Sequence, residues 1–109
     1  MNTGFIYALV DPRDGAVKYV GQTIYKLQKR LTEHCVSPRT RQQREWIEDL
    51  AALGLRPSIR LLEEVPTADL NRYENYWMAE MAYQGAYLLN RRFDYITLAA
   101  YHGQRPERP

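Results

Sequence analysis

A turn cluster near the start of the chain constrains the fold most, because it separates two runs of β-forming residues. Residues 4–10 read Gly-Phe-Ile-Tyr-Ala-Leu-Val, and residues 17–21 read Val-Lys-Tyr-Val-Gly. Between them lies Asp11-Pro12-Arg13-Asp14-Gly15, which is rich in the Asp, Pro and Gly that favour turns. Two short strands joined by a loop of about five residues predict a β-hairpin.

Two helices are predicted after the hairpin. The first is expected over Leu27–Cys35. The second is expected to begin with Ser37 as its N-cap and Pro38 at its first helical position, and to end at Gly54. Its apolar face is predicted to contain Trp46, Ile47, Leu50 and Leu53.

A third strand and a third helix complete the predicted order. Residues 58–65 favour a strand, and Pro66-Thr67 favours the start of a helix, with Thr67 as N-cap and Gly85 as its end. Residues 86–98 have no clear assignment. The order β-β-α-α-β-α predicts a small α/β fold, in which helices sandwich a three-stranded antiparallel sheet.

The length of 109 residues predicts one domain. We expect that domain to span residues 1–98 and to be followed by a flexible tail over 99–109, which contains Gly, Pro and charged residues. No apolar run is long enough to predict a membrane span, and no signal peptide is predicted. The single cysteine, Cys35, cannot form an internal disulfide, which favours a reducing, cytoplasmic setting.

The charge distribution gives a weak functional signal. The net charge is +2, and basic residues outnumber acidic ones only in residues 1–60. Most of the cations are arginines, whose planar fork suits phosphate oxygens. The charge alone is nevertheless what an ordinary solvated surface shows, so it does not predict nucleic-acid binding.

A carboxylate inside an apolar stripe is a stronger signal. The apolar stripe of the third helix consists of Leu70, Tyr73, Trp77 and Met81. Glu74 projects within this stripe, although the opposite face of the helix was available to it. A carboxylate in that position is costly unless it is paired, hydrogen-bonded or bound to a metal.

The first helix shows the same anomaly. Arg30 and His34 project beside the apolar Leu27 and Leu31, so both are expected to point toward the sheet. Arg30 and Glu74 could therefore form a buried structural ion pair, or both could belong to a functional site. Tyrosines on the two hairpin strands are each more often structural, because tyrosine is a favoured strand residue.

Taken together and in order, these residues resemble the GIY-YIG nuclease family. The similarity spans about residues 4–92 and rests on Phe5-Ile6-Tyr7, Tyr19-Val20-Gly21, Arg30 with His34 four residues later, Glu74 and Asn90. The sequence departs from the family name at Phe5, with Gly4 one place earlier, and at Val20. The resemblance implies an endonuclease that hydrolyses DNA phosphodiester bonds.

The resemblance implies a role for each matching residue. Glu74 is expected to hold one divalent cation, Mg²⁺ or Mn²⁺, because the sequence offers no acidic cluster for a second ion. Arg30 is expected to neutralise charge on the scissile phosphate. Tyr7 or His34 is expected to be the general base, and the sequence does not choose between them. Tyr19 is expected to assist by hydrogen bonding.

Two further positions are expected to support the site rather than to react. Gly21 would allow the backbone to approach the phosphate closely, and Asn90 would brace the site by hydrogen bonds. DNA phosphates outside the site are expected to contact a group of five cations in and before the second helix. These cations are Lys26, Lys29, Arg39, Arg41 and Arg44.

Two other hypotheses remain open on the sequence. One is a non-catalytic nucleic-acid-binding module of the same fold. The other is a structural domain with a buried Arg30–Glu74 pair, which leaves the remaining matches unexplained. The chain has little beyond the catalytic core, so we expect targeting to come from loops, a homodimer or a partner protein. A bacterial or phage nuclease is the expectation; its cleavage pattern, recognition site and biological role stay open.

Overall fold

The computed structural model describes residues 2–90. The three strands are β1 (Thr3–Val10), β2 (Val17–Thr23) and β3 (Ser58–Pro66). The three helices are α1 (Leu27–Val36), α2 (Arg41–Ala52) and α3 (Leu70–Tyr83). The predicted element order is therefore confirmed, although several element ends differ from the prediction by a few residues.

The sheet has the order β2-β1-β3, and β1 pairs antiparallel with both neighbours. Tyr7 lies opposite Gly21 in the β1–β2 ladder. Each ladder is irregular at one point: the register shifts between Leu9 and Val10 against β2, and between Ile6 and Tyr7 against β3. Such irregularities bend strands and change the direction of side chains. One irregularity directly precedes Tyr7, and the other directly follows Leu9, which lies opposite Tyr19.

Helices cover both faces of this sheet, as the sequence predicts. On one face, α3 packs on a core of Ile6, Val20, Val65, Leu70, Tyr73, Met78, Met81 and Leu88. On the other face, α1 and α2 pack on a core of Tyr7, Leu9, Leu31, Trp46, Ile47 and Leu50. Alternate residues of β1 enter opposite cores, which is the period-two pattern of a strand buried on both faces.

The hairpin loop is held by one buried carboxylate. Asp11 is 1% exposed and accepts hydrogen bonds from the Arg13 guanidinium at 2.7 and 3.0 Å, and from Trp46 Nε1 at 2.9 Å. The Arg13 hydrogen bonds hold the pKa of Asp11 well below its usual range. Gly15 closes the loop with a φ of 77°, which other residues rarely adopt. The loop thus anchors α2 to the hairpin through Trp46.

The predicted start of α2 at Ser37 and Pro38 is wrong. The helix begins at Arg41, and its N-cap is Thr40, whose hydroxyl accepts the Gln43 backbone N–H at 3.0 Å. Thr followed three residues later by Gln is a known N-terminal signature, and the sequence contains it at these positions. The proline gave the more visible but weaker signal, because it fixes φ without satisfying any helix N–H group.

Two smaller expectations about the helices are also wrong. Leu53 is 61% exposed, because α2 has already ended where its apolar stripe would continue. Thr67 does not cap α3, because it begins a single 3₁₀ turn and the α-helix begins at Leu70. The predicted glycine stops are confirmed, since Gly54 and Gly85 have φ values of 73° and 97°.

The chain after α3 runs along the outer edge of β2. The Leu89 backbone N–H donates to the Lys18 carbonyl at 2.6 Å. The Asn90 side chain accepts the Val20 N–H at 3.0 Å and donates to the Val20 carbonyl at 2.8 Å. The Thr40 hydroxyl donates to the Leu89 carbonyl at 2.8 Å. These bonds tie the start of α2 to the edge of the sheet.

The last part of the predicted domain, residues 91–98, and the predicted tail, residues 99–109, lie outside the described residues. Within residues 2–90, no helix has the length and apolar character needed to cross a bilayer.

We predict that Thr40→Ala lowers the free energy of unfolding by about 1–2 kcal/mol, because it removes the α2 cap and the bond to the Leu89 carbonyl. Ser37→Ala is the matched control, since Ser37 is exposed and does not cap α2, and it should stay within about 0.5 kcal/mol of wild type. Urea unfolding of the three proteins measures both values. A larger loss in Ser37→Ala would contradict this assignment of the cap.

Candidate active site

Tyr7 occupies a space that exists only because its cross-strand neighbour is a glycine. The Tyr7 ring lies across the backbone of Gly21, its partner on β2. A Cβ atom at position 21 would lie 2.5 Å from Tyr7 Cζ, a separation that real Cβ atoms do not show. The absence of a side chain at Gly21 leaves room for the Tyr7 ring, and the expected close approach of a phosphate to the Gly21 backbone stays a prediction. Its structural role is therefore to place the tyrosine.

The hydroxyl of Tyr7 joins two α1 side chains. Tyr7 Oη lies 2.6 Å from His34 Nε2, and Arg30 Nε donates to Tyr7 Oη at 3.2 Å. Arg30 and His34 lie on one face of α1 because four residues make about one helical turn. The three side chains therefore meet at the Tyr7 hydroxyl.

Burial sets the protonation of this group. It raises the pKa of Tyr7 to about 12, and the Arg30 hydrogen bond offsets only part of that rise. It lowers the pKa of His34 to about 4, so the imidazole is neutral at neutral pH. Arg30 is half-buried; burial alone lowers its pKa, but the Tyr7 hydroxyl raises the pKa overall. At neutral pH, Tyr7 is therefore a protonated phenol between a neutral imidazole and a cation.

An open cleft of about 340 Å³ lies at the edge of the sheet beside this group. Its walls combine residues from both sides of β2 and from the chain after α3. They are Tyr19, Val20, Arg30, Arg39, Thr40, Glu74, Met78 and Asn90. Tyr19, Arg30, Glu74 and Asn90, which were singled out from the sequence, thus line one concavity.

The cleft explains how residues on opposite faces of a sheet meet. Tyr19 and Arg30 belong to the α1 side, whereas Glu74 lies on α3. Because β2 is an edge strand of the described sheet, side chains from both faces reach past it. Burial, and then the charge of Glu74, raise the pKa of Tyr19, so carboxylate and phenol interact across this edge.

Two of the predicted catalytic residues do not line the cleft. Tyr7 and His34 are both 0% exposed, and they adjoin the cleft through Arg30. The tyrosine of the cleft wall is Tyr19, whose ring centroid lies 5.0 Å from that of His34 in an edge-to-face arrangement. His34 therefore contacts both tyrosines and is buried behind the cleft wall.

The five predicted DNA-binding cations have different immediate surroundings. Arg39 lines the cleft, whereas Arg44 lines a separate groove of about 200 Å³. Arg41 forms an ion pair of 3.1 Å with a glutamate one turn later on α2. Lys29 lies 4.3 Å above an exposed tyrosine ring, and Lys26 precedes the first residue of α1. Of the five cations, Arg39 and not the other four lines the cleft, and their expected contacts with DNA phosphates stay a prediction.

Sequence reasoning missed one residue of this site, Gln43. It is 0% exposed, its Oε1 lies 3.3 Å from His34 Nδ1, and it accepts the Arg39 backbone N–H at 2.6 Å. The signal was available, because Gln43 precedes Trp46 and Ile47 by three and four residues and so shares their buried face. The rule that singled out Glu74, a polar residue on an apolar stripe, applies to it equally.

The cleft offers few side chains that could bind a metal ion. Among residues 2–90, no group of three or more His, Cys, Asp or Glu side chains could hold an ion. Glu74 supplies a carboxylate to the cleft wall. Mg²⁺ keeps several waters and often takes only one or two carboxylates, so this donor set fits one hydrated ion and not a closed cage.

The fold and the cleft define a small α/β domain with an arginine, a carboxylate and a phenol on one open concavity. No family model, curated protein or solved structure matches this chain.

We predict that Gly21→Ala destabilises the fold by roughly 1–3 kcal/mol, because the new methyl group overlaps the Tyr7 ring. In a Tyr7→Ala background the overlap is gone, so the same substitution should cost much less. A double-mutant cycle on the free energy of unfolding measures this coupling. Additive effects would show that Gly21 is not required by Tyr7.

We predict that His34 makes stability depend on pH. The unfolded chain protonates His34 near pH 6.5 and the folded chain only near pH 4. The contribution to stability is therefore complete above pH 6.5 and decreases by on the order of 3 kcal/mol as the pH falls to 4. The difference in unfolding free energy between wild type and His34→Gln should shrink over this range. A constant difference would contradict the prediction.

Proposed function

We propose that the protein is a metal-dependent endonuclease that hydrolyses DNA phosphodiester bonds in the cleft beside β2. The observation that carries this proposal is the meeting of Arg30, Glu74 and Tyr19 on one open concavity, with Tyr7 hydrogen-bonded behind Arg30. The ordered resemblance of these residues to the GIY-YIG nucleases supports the same chemistry. A buried structural ion pair does not require a cleft, two tyrosines and a neutral histidine around it.

Arg30 is the proposed phosphate ligand. Its Nε is engaged by Tyr7 Oη, which fixes the guanidinium at the cleft wall and leaves the terminal nitrogens for phosphate oxygens. Arg39 lies on the same wall, and we propose that it contacts a neighbouring phosphate. The contact of Arg30 with Glu33 is long, at 3.7 Å, so a phosphate can compete for it.

Glu74 is the proposed ligand of one Mg²⁺ or Mn²⁺ ion. When bound, the ion would supply positive charge at the phosphate and orient water. Glu74 is half-buried and lines the open cleft. One carboxylate in an open site fits a single, weakly held ion better than a two-ion arrangement.

We propose Tyr7, rather than His34, as the group that takes the proton of the attacking water. Both ring nitrogens of His34 already face partners, Tyr7 Oη and Gln43 Oε1, so the imidazole has no free edge for water. Because the pKa of Tyr7 is about 12, its hydroxyl is protonated at neutral pH and must lose its own proton before it can accept one from water. It can pass its own proton to His34 Nε2, while Arg30 stabilises the phenolate. Since Tyr7 is buried, the attacking water must approach its hydroxyl from the cleft beside Arg30, which already contacts that hydroxyl.

The remaining roles follow from position. Tyr19 lines the cleft and would hydrogen-bond to water or phosphate. Asn90 holds the backbone of Val20 and so keeps the cleft wall in place. A homodimer or partner protein for targeting, a cytoplasmic setting and a bacterial or phage origin are parts of the same proposal.

We expect the protein to nick or linearise supercoiled plasmid in the presence of Mg²⁺ or Mn²⁺. Arg30→Ala and Glu74→Gln should each lower the rate by on the order of a hundredfold or more. Glu80→Gln on the same helix and the exposed Arg72→Ala are matched controls that should cleave like wild type. Gel assays and circular dichroism separate lost activity from lost fold.

Two results would overturn this proposal in different ways. If no divalent ion supports cleavage while salt-sensitive DNA binding is intact, the protein is a non-catalytic nucleic-acid-binding module of the same fold. If Glu74→Gln cleaves as fast as wild type, the metal and the reaction lie elsewhere.

A further inference from the structure

A buried amide behind His34 has a fixed orientation. Gln43 is 0% exposed, and its Oε1 lies 2.6 Å from the backbone nitrogen of Arg39. A backbone N–H can only donate, so the atom that faces it must be the amide oxygen and not the NH₂ group. The Arg39 backbone thereby determines which end of the Gln43 amide points toward His34.

This orientation determines where the proton of His34 lies. Gln43 Oε1 also faces His34 Nδ1 at 3.3 Å, and a carbonyl oxygen can only accept. His34 Nδ1 must therefore carry the proton. In a neutral imidazole the other nitrogen, Nε2, is then an acceptor. The partner of Nε2 is Tyr7 Oη at 2.6 Å, so the phenol must be the donor in that bond.

We propose that Gln43 is a positioning residue of the nuclease, which holds His34 as the Nδ1–H tautomer and so directs the Tyr7 proton toward His34 Nε2. The inference rests on the function proposed above and adds a residue that touches neither substrate nor metal. The other proton-transfer partners come from β1 and α1, whereas Gln43 comes from α2. The path of the proton therefore depends on the N-terminal turn of a helix that contributes no reacting group.

The NH₂ end of the Gln43 amide does not explain why this buried residue is a glutamine. Its Nε2 is buried and has no hydrogen-bond partner among the described residues. An unsatisfied buried donor costs about 1–3 kcal/mol, so the Nε2 end of the amide does not stabilise the fold. The hydrogen bonds of the Gln43 amide are made by its Oε1 atom, which faces the Arg39 backbone N–H and His34 Nδ1.

Several charged and titratable groups surround His34 and must be considered in any pH experiment. Tyr7 and Tyr19 face it from the sheet, and Arg30, Glu33 and Arg39 act on it from α1 and the following loop. The arginines disfavour the imidazolium form, whereas the glutamate favours it. None of these groups fixes the tautomer, because only Gln43 faces Nδ1 at hydrogen-bonding distance among the described contacts.

The direct test reads the tautomer without using activity. Nitrogen-15 NMR of the His34 ring in the wild-type protein should show the proton on Nδ1 at neutral pH. In Gln43→Met, which keeps the size of the side chain but removes the acceptor, the ring should lose this single tautomer. Gln42→Met, at the exposed neighbouring position, is the matched control and should leave the His34 spectrum unchanged. A wild-type ring protonated on Nε2 would overturn the inference.

A second measurement connects the tautomer to the reaction. Gln43→Met should lower kcat for plasmid cleavage by roughly 10- to 100-fold while KM changes little, since Gln43 does not touch DNA. Gln43→Glu places a carboxylate beside Nδ1–H, so the acidic limb of the cleavage pH profile should move to higher pH. Gln42→Glu should not move it. An unchanged kcat and pH profile in both Gln43 variants would overturn the positioning role.

Failure of this inference and failure of the proposed function give different results. If wild type does not cleave DNA, the NMR experiment still decides whether Gln43 sets the tautomer. If wild type cleaves and Arg30→Ala does not, but the Gln43 variants behave like wild type, the nuclease assignment stands and the role of Gln43 is wrong.

Discussion

The hydrogen bond between Tyr7 Oη and His34 Nε2 is the contact on which the rest of the site depends. It is fully buried, and it connects the central strand of the sheet to α1. The bond requires the Tyr7 ring to lie across Gly21, and it places Arg30 where its Nε reaches the same hydroxyl. A polar contact in a core is stable only when its members are satisfied. Here Gly21 leaves room for the Tyr7 ring, and Arg30 donates a second hydrogen bond to the Tyr7 hydroxyl.

The edge position of β2 then turns a buried contact into a surface site. The central strand of a sheet keeps the side chains on its two faces apart. Beyond an edge strand, side chains from both faces can meet. Glu74 of α3 and Tyr19 of β2 interact there across the edge of the sheet. The exposed backbone of an edge strand is also open to unwanted pairing. The chain at Leu89 and Asn90 covers part of it and completes the wall of the cleft.

The sequence predicted the features that depend on local pattern. The hairpin follows from a dense turn cluster, and the glycine helix stops follow from positive φ angles. The covering of both sheet faces by helices follows from the element order. The start of α2 was mispredicted because two local signals compete over four residues, and only the hydrogen bond from Gln43 to Thr40 decides between them. Leu53 was wrongly assigned to the apolar face of α2 for a related reason. Periodicity shows in which direction an apolar stripe points, but it does not show where the helix ends.

The sequence could not predict which residues of the site face solvent. Periodicity places Arg30 and His34 on the same side of α1, yet the first lines the cleft and the second is sealed. The difference comes from α2, which brings Gln43 over the imidazole but leaves the guanidinium at the edge. Contacts between elements distant in sequence therefore sort equivalent positions into those that line the cleft and those that are buried behind it. The same packing that protects His34 from water keeps it neutral, which lets its Nε2 accept a hydrogen bond from the buried phenol.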